Sequence, residues 1–251
     1  MTRKEIFWTG RHLLSVLIRQ RQLSAPMLSW RAWHRYWTAL RQYKRLASGR
    51  DDRQNLYPCL GDDTAETAIE PTYFYQDAWA FDRIVVQRPA WHVDAGSHHK
   101  YVALLSKVLP VTMVDIRPLS VPMESIKFRR GSILELPFDD ASMPSVSSLC
   151  VVEHIGLGRY GDPLDISGTE KSIAELKRVV HAGGDLYISL PLDDKNRVYF
   201  NAHRAFTEEY VLDLIQPFEV VQNRYIYNGE FGNERRSGFG VGCYHLRAPT
   251  R

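Results

Sequence analysis

Two aspartates stand where strand-like runs give out. Trp91-His92-Val93-Asp94-Ala95-Gly96-Ser97 reads as a short strand closing in a glycine turn, and Val111-Thr112-Met113-Val114-Asp115 as a second buried strand ending in an acid. A glycine at such a turn lets the backbone bend sharply and approach a ligand closely. An acid about 20 residues later is placed to accept hydrogen bonds from the two hydroxyls of a ribose. This pair suits an adenosine-bearing cofactor, and the spacing alone serves a nicotinamide dinucleotide and S-adenosylmethionine equally.

Other reactive side chains cluster further along. Glu153-His154 falls where a strand reaches a cleft, a pocket-lining pair able to supply a general base or a histidine bonded to its own loop. Asn201, His203 and Arg204 follow the fifth strand. Tyr160, Asp162 and Asp165 lie in a glycine-bearing loop, where they either bind hydroxyls or build turns. His98 and His99 are adjacent with no third ligand in sight, so no metal is expected. Cys59, Cys150 and Cys243 are scattered, without a CxxC, and indicate neither zinc nor a disulfide framework.

The elements that must position these residues alternate. After the first strand, His98–Leu109 has helical spacing and Pro110 stops it. Ile126–Phe128 starts a third strand, and Val146–Val152 reads as a fourth, apolar or small throughout as befits a strand covered on both faces. Thr169–Val180 is an amphipathic helix closed by His181-Ala182-Gly183-Gly184, the glycine pair suiting a left-handed cap. Leu186–Pro191 is a fifth strand, and Thr207–Ile215 a helix capped by Thr207. Phe218–Tyr227 and Val241–Leu246 close the chain as two strands. The glycine-rich link between them is too short for a helical crossover, so they pair antiparallel. The alternation predicts a doubly wound, mostly parallel sheet.

The 251 residues are 44% apolar and 24% charged, an ordinary globular composition. The net charge of +3 hides an asymmetry. Residues 1–50 hold eleven Lys and Arg against the single acid Glu5, leaving 21 bases and 28 acids for the rest. A segment of +10 thus precedes a body of −7. Residues 5–47 read as helical, broken at Ser24-Ala25-Pro26, with Leu13, Val16, Leu17, Leu28, Trp33, Trp37 and Leu40 on one face and further aromatics Phe7, Trp8, Trp30, Tyr36 and Tyr43. The expected organisation is a basic helical segment over 1–50, a linker over 51–71 and an α/β domain over 72–251. Basic amphipathic helices with tryptophans lie on anionic membrane surfaces. Packing of the segment on the body is the plain alternative, and nucleic acid ranks below both. No apolar run is long enough to span a bilayer, and no signal peptide is evident. The expectation is a cytoplasmic protein, peripheral on the inner membrane face if the first segment docks there.

In order, Asp94–Ser97, Asp115, Gly131-Ser132-Ile133-Leu134-Glu135-Leu136-Pro137-Phe138-Asp139-Asp140, Val151–Ile155 and Glu175–Pro191 resemble the class I S-adenosylmethionine-dependent methyltransferases. Those enzymes show an acid–glycine loop, an acid after strand two, an LPF-type segment, an LEHI-type strand end and an RVLKPGG-type turn. The resemblance covers about residues 72–246. More narrowly, His154–Pro163 and Phe200–Arg204 resemble a bacterial family of unknown function in that superfamily, often associated with surface-polysaccharide biosynthesis.

The resemblance implies a Rossmann-like doubly wound sheet of seven strands with a closing antiparallel pair, and S-adenosylmethionine as cofactor. Asp94, Gly96 and Ser97 would line its methionine end, Asp115 and Ile116 its ribose, Ser132 and Ile133 its adenine, with Cys150 or Val151 beneath. His203 falls in a region that faces the acceptor in such enzymes and is the first choice for the base, His154 the second. The implied activity is O-methylation of a sugar or polysaccharide precursor, with a glycan or lipid-linked sugar as acceptor. The chain departs from the pattern at His98-His99, where further glycines are usual, at Ser132, where an acid often stands, and at Pro144-Ser145, where an acid commonly opens strand four. These departures keep a second reading open, a non-catalytic scaffold or accessory protein in glycan assembly. A nicotinamide enzyme is disfavoured by the absence of a GxGxxG turn.

Overall fold

The computed structural model describes residues 30–48 and 56–250. The chain divides into two compact units, Met1–Ala68 and Ile69–Arg251. In the first, the described residues form one helix, α1 (Trp30–Leu46), which buries Ala32. The expected break at Ser24-Ala25-Pro26, the residues Leu13, Val16, Leu17 and Leu28, and the aromatics Phe7 and Trp8 lie outside the described residues. Residues 56–70 carry neither helix nor strand.

The second unit opens with α2 (Pro71–Gln87), whose N-cap Glu70 accepts the amides of Thr72 and Tyr73. Then follow β1 (His92–Ala95), α3 (His99–Leu105), β2 (Val111–Asp115), β3 (Ile126–Arg130) and β4 (Met143–Leu149). A single 3₁₀ turn (Val152–His154) leads to α4 (Gly168–Val179), β5 (Val180–Leu192), the hairpin β6 (Arg197–Tyr199) and β7 (His203–Ala205), and α5 (Glu208–Ile215). The chain closes with β8 (Glu219–Tyr227), β9 (Glu230–Gly232) and β10 (Gly240–Arg247).

One sheet runs β3-β2-β1-β4-β5-β10-β8-β9. Its first five strands are parallel, and β10 inserts antiparallel between β5 and β8. The sheet therefore has eight strands, not seven, because the glycine-rich link between the last two long strands folds back as β9 against β8. One apolar core joins Ile173 and Leu176 of α4 and Val211 and Ile215 of α5 to the strands. A second joins Trp79 and Ile84 of α2 and Val102 and Leu105 of α3 to them. Helices thus cover the sheet from two core layers, the doubly wound arrangement.

Three local expectations are corrected. The fourth strand stops at Leu149, not Val152, because Cys150 turns out of the strand at φ +50°. The third helix ends at Leu105, with Ser106 as its cap. The glycine pair does not cap α4. That helix passes straight into β5, and its last carbonyls are taken by the amides of Ala141 (onto Arg178 O, 2.8 Å) and Ser142 (onto Val179 O, 2.9 Å). Gly183 and Gly184 instead bend β5, exchanging hydrogen bonds with Ala248.

Candidate functional site

The order of strands reverses between β1 and β4, since the chain runs outward from β1 to β2 on one side and resumes at β4 on the other. In open α/β sheets ligands bind outside the carboxyl ends of the strands at such a switch point. A cleft of about 1000 Å³ opens there. It collects residues from the turns after β1, β2, β3 and β4, including Gly96 and Ser97, Asp115 and Ile116, Ser132 and Ile133, and Cys150 and Val151. Every cofactor-binding residue expected from the sequence lines it except Asp94.

Asp94 is fully buried beneath the turn. Its Oδ1 accepts the Ser97 amide at 3.0 Å and its Oδ2 the Ser147 hydroxyl at 2.6 Å. Burial raises its carboxyl to about 6. Asp94 therefore braces the loop from behind and does not itself line the cleft. A buried polar column continues from it: His92 bonds Ser147 Oγ through Nε2 (2.8 Å) and Ser145 Oγ through Nδ1 (2.7 Å). Burial lowers this histidine to about 3, so it is neutral. Ser145, where the usual acid is missing, is thus a partner for His92.

Gly96 has φ +78°, and a Cβ there would lie 3.0 Å from Val151 Cγ1. The turn therefore needs glycine for both conformation and close approach. Asp115 ends β2 with Oδ1 on the Arg117 amide at 2.8 Å. Among the described residues its Oδ2 has no hydrogen-bond partner. A carboxylate oxygen facing a cleft in this way fits a diol, and the apolar Ile116, Ile133 and Leu134 fit a flat heterocycle. Ser132 uses its hydroxyl to accept the Leu134 amide (3.1 Å), which sets the turn after β3. These residues fit an adenosine-bearing cofactor.

The LPF-type and RV-type segments, distant in sequence, clasp one another. Glu175 Oε1 accepts the Leu136 amide at 2.6 Å, and Arg178 Nη1 donates to Phe138 O at 3.0 Å. Together they fix the wall that carries Ile133.

The two histidines proposed as bases part company. His154 lines the cleft, and His203 is not among the lining residues. His203 sits on β7 with its ring 4.9 Å from Tyr199 and 5.6 Å from Phe239, drawn there by the hairpin pairing of Tyr199 with His203. His154 Nδ1 lies 2.6 Å from Ala202 O, so Nδ1 carries the proton. Its Nε2 lies 3.6 Å from Glu153 Oε1. Desolvation lowers His154 to about 4. Burial raises Glu153 to about 8, and its Oε2 is buried with no partner among the described residues. At neutral pH the pair is therefore an uncharged imidazole beside a protonated carboxyl.

Loop residues 155–166 are held by their own chemistry. Asp162 accepts the amides of Gly156 (2.7 Å) and Tyr160 (3.2 Å), and Asp165 that of Ser167 (2.9 Å). Both acids are turn builders. Tyr160 lies under the Arg117 guanidinium at 4.4 Å, joining the loop after β4 to the one after β2. Arg204 was legible only as a neighbour of His203. It is buried and donates to Ile155 O (2.6 Å) and Asp165 O (2.9 Å), closing this loop at its base. His98 and His99 also line the cleft, with His98 Nδ1 3.9 Å from Asp77 Oδ2. Desolvation raises Asp77 to about 7.

A family model described as "Caenorhabditis protein of unknown function, DUF268" matches residues 138–234. No curated protein matches the chain. Among solved structures, a candidate sarcosine dimethylglycine methyltransferase from Galdieria sulphuraria superposes with TM-score 0.55 at 15% identity, over 83% of this chain and 97% of that one. The 1,6-didemethyltoxoflavin-N1-methyltransferase of Burkholderia thailandensis, solved with S-adenosylhomocysteine, gives 0.50 at 20% identity over 92% and 93%. The [4+2]-cyclase SpnF gives 0.51 at 13% identity over 70% and 82%. The second unit has the Rossmann-like fold of the class I S-adenosylmethionine-dependent methyltransferases. SpnF has a related fold and a different reaction, so the fold by itself leaves the chemistry open.

Proposed function

We propose that the chain binds S-adenosylmethionine in this cleft and transfers its methyl group to an acceptor. The acceptor class that the sequence resemblance supports is a hydroxyl of a sugar or polysaccharide precursor. The observation that carries the reading is the convergence of Gly96, Asp115, Ile133 and Val151, from four separate strand ends, on one cleft at the switch point. Bound there, the cofactor would supply an electrophilic sulfonium methyl.

The chain's own residues would do the rest. Asp115 Oδ2 would accept from the ribose hydroxyls. The Gly96 turn would admit the cofactor's backbone-facing end, and Ile116, Ile133 and Leu134 would keep water from the ring. His154 would take the acceptor hydroxyl's proton at Nε2 as the new C–O bond forms, but its desolvated imidazole is a weak base. Rate enhancement would thus come chiefly from alignment of acceptor and methyl, which reaches about 7–11 kcal/mol in well-oriented systems.

The test is calorimetric titration of the full chain with S-adenosylmethionine and S-adenosylhomocysteine. Micromolar binding, weakened about 10–100-fold by Asp115→Ala, is expected from the loss of a hydrogen bond to a charged group. No binding to either by the folded protein would refute the reading. Binding that Asp115→Ala leaves unchanged would refute the site.

A second reading has an observation in its favour. The one histidine of the expected pair that lines the cleft is tied at Nδ1 and held at about 4, and the other lies elsewhere. A binding scaffold without turnover fits that arrangement. Cofactor binding with no methyl transfer to any glycan acceptor would support it, and one productive acceptor would eliminate it.

A further inference from the structure

Helix α1 of the first unit carries a surface of its own. Trp30, His34, Trp37, Arg41 and then the pair Lys44 and Arg45 are spaced by three or four residues, the spacing of a single helical stripe. All of them are exposed, Trp30 at 72%. The helix's Ala32 is buried, as is Ala47 just beyond its end, and Tyr36 and Leu40 are half-buried on an adjoining face, so the stripe is not the side on which the helix packs. No Asp or Glu occurs anywhere in the helix. Among the described residues its one ion pair is Arg35 with Asp63 at 3.1 Å, and Arg41, Lys44 and Arg45 of the stripe have no acidic partner.

We propose that this stripe is a docking surface for an anionic bilayer, on which α1 lies flat. From Trp30 to Lys44 it runs about 20 Å, at about 1.5 Å rise per residue. Tryptophans sit by preference at the level of the lipid headgroups, and Arg and Lys beside them reach the lipid phosphates while their stems cover apolar surface. Each base near an anionic surface adds attraction that falls off within a Debye length.

Nucleic acid has the same phosphate charge but asks for a different aromatic geometry. Bases stack on open ring faces. Here Trp37 is stacked on Trp33 (6.0 Å, 21°) and meets Tyr36 edge to face (5.2 Å, 76°). Trp30 has the edge of His34 against it at 6.2 Å and the Arg31 guanidinium over it at 6.0 Å. Trp37 thus has one face taken by Trp33 and Trp30 one face approached by Arg31, while both stay exposed, which suits a headgroup layer better than a stacked base.

The test is flotation of the full chain with vesicles of phosphatidylglycerol and phosphatidylcholine, against pure phosphatidylcholine vesicles and a short single-stranded RNA. Binding to the anionic vesicles alone, weakened by salt, is expected. The triple charge reversal Arg41→Glu, Lys44→Glu, Arg45→Glu should lower the partition coefficient about a hundredfold or more. Trp30→Ser should lower it about tenfold. Both changes are at exposed positions, and circular dichroism checks that the chain stays folded. The proposal is overturned by equal binding to neutral vesicles, by no vesicle binding, by retention on the RNA without vesicle binding, or by a triple variant that partitions like the parent. None of these outcomes depends on whether the cleft binds S-adenosylmethionine.

Discussion

The carboxylate of Asp94 accepts the backbone amide of Ser97 at 3.0 Å, directly beneath the glycine turn that opens the cleft. The same carboxylate takes the Ser147 hydroxyl from the neighbouring strand β4. The acid of the first motif therefore works on the protein's own backbone. Asp94→Asn keeps one acceptor oxygen but turns an amide donor towards a second donor. The expected loss is about 1–3 kcal/mol, that of a buried donor left unmatched, read as a lower urea midpoint. Cofactor affinity should fall with it, because the turn is no longer held. A variant as stable as the parent would mean that Asp94 does not brace the loop.

Gly96 meets two separate demands, which a pair of variants can separate. Gly96→Ala places a Cβ residue at φ +78° and sets that Cβ 3.0 Å from Val151 Cγ1. The left-handed conformation alone costs about 1–2 kcal/mol for a residue with a side chain. Val151→Ala in the same chain removes the close contact and leaves the conformational penalty. Denaturant unfolding should show the double variant more stable than Gly96→Ala alone. A double variant less stable than the single by the full effect of Val151→Ala would show that the contact plays no part.

Much of this arrangement was legible in the sequence, for identifiable reasons. Val111–Asp115 and Leu186–Pro191 read as strands because residues buried on both faces run apolar, and Asp115 stood out as an acid where such a run ended. Strand β4 was harder. Its Met-Pro-Ser-Val-Ser-Ser-Leu composition is half polar, and its serines are buried partners of His92, Asp94 and the Ala95 carbonyl. Those partnerships are non-local and leave no periodic trace. Gly183-Gly184 misled for a related reason: the last carbonyls of α4 are satisfied by Ala141 and Ser142, residues far from the helix in sequence. His203 reads as a base only through the resemblance, which sets its region against the acceptor, and the hairpin register that turns its ring to Tyr199 is not visible in the sequence.

Buried acids set the pH dependence of stability. Burial holds Glu153 up at about 8 and Asp77 at about 7, so the folded chain keeps protons that the unfolded chain has already released. Their stabilisation is complete at low pH and is lost as pH rises through those values. The desolvated His154 and His92, held near 4 and 3, act in the opposite sense, chiefly below their ordinary 6.5. Between pH 6.5 and 8 the acids outweigh the histidines, whose unfolded forms, His98 and His203 among them, shed their last protons there. Stability should fall over that range by about 1 kcal/mol net. Glu153→Gln removes the titrating group and should flatten most of that slope in urea titrations at the two pH values. An unchanged slope would place the titration elsewhere.

Arg204 governs the loop that carries Tyr160 to the cleft mouth. Its guanidinium is buried without a carboxylate partner among the described residues. It instead donates to Ile155 O and Asp165 O, the two ends of the loop. The base is tight: a Cβ on Gly156 would overlap the Asp165 carbonyl, and one on Gly168 the Ile155 carbonyl. Arg204→Met should strand the Ile155 carbonyl, at about 1–3 kcal/mol, and leave Asp165 O with the Gly168 amide alone. Lysine, a point donor without the planar fork, reaches one carbonyl at a time, so Arg204→Lys should fall between. The measurements are the urea midpoint and limited proteolysis, with new cleavage expected between Ile155 and Gly168 in the methionine variant. Because Tyr160 rests on Arg117, which follows Asp115, loosening the loop should also weaken binding of S-adenosylhomocysteine if the cleft takes that ligand. Protease resistance equal to the parent's in Arg204→Met would show that the loop is held by its turn acids Asp162 and Asp165 alone.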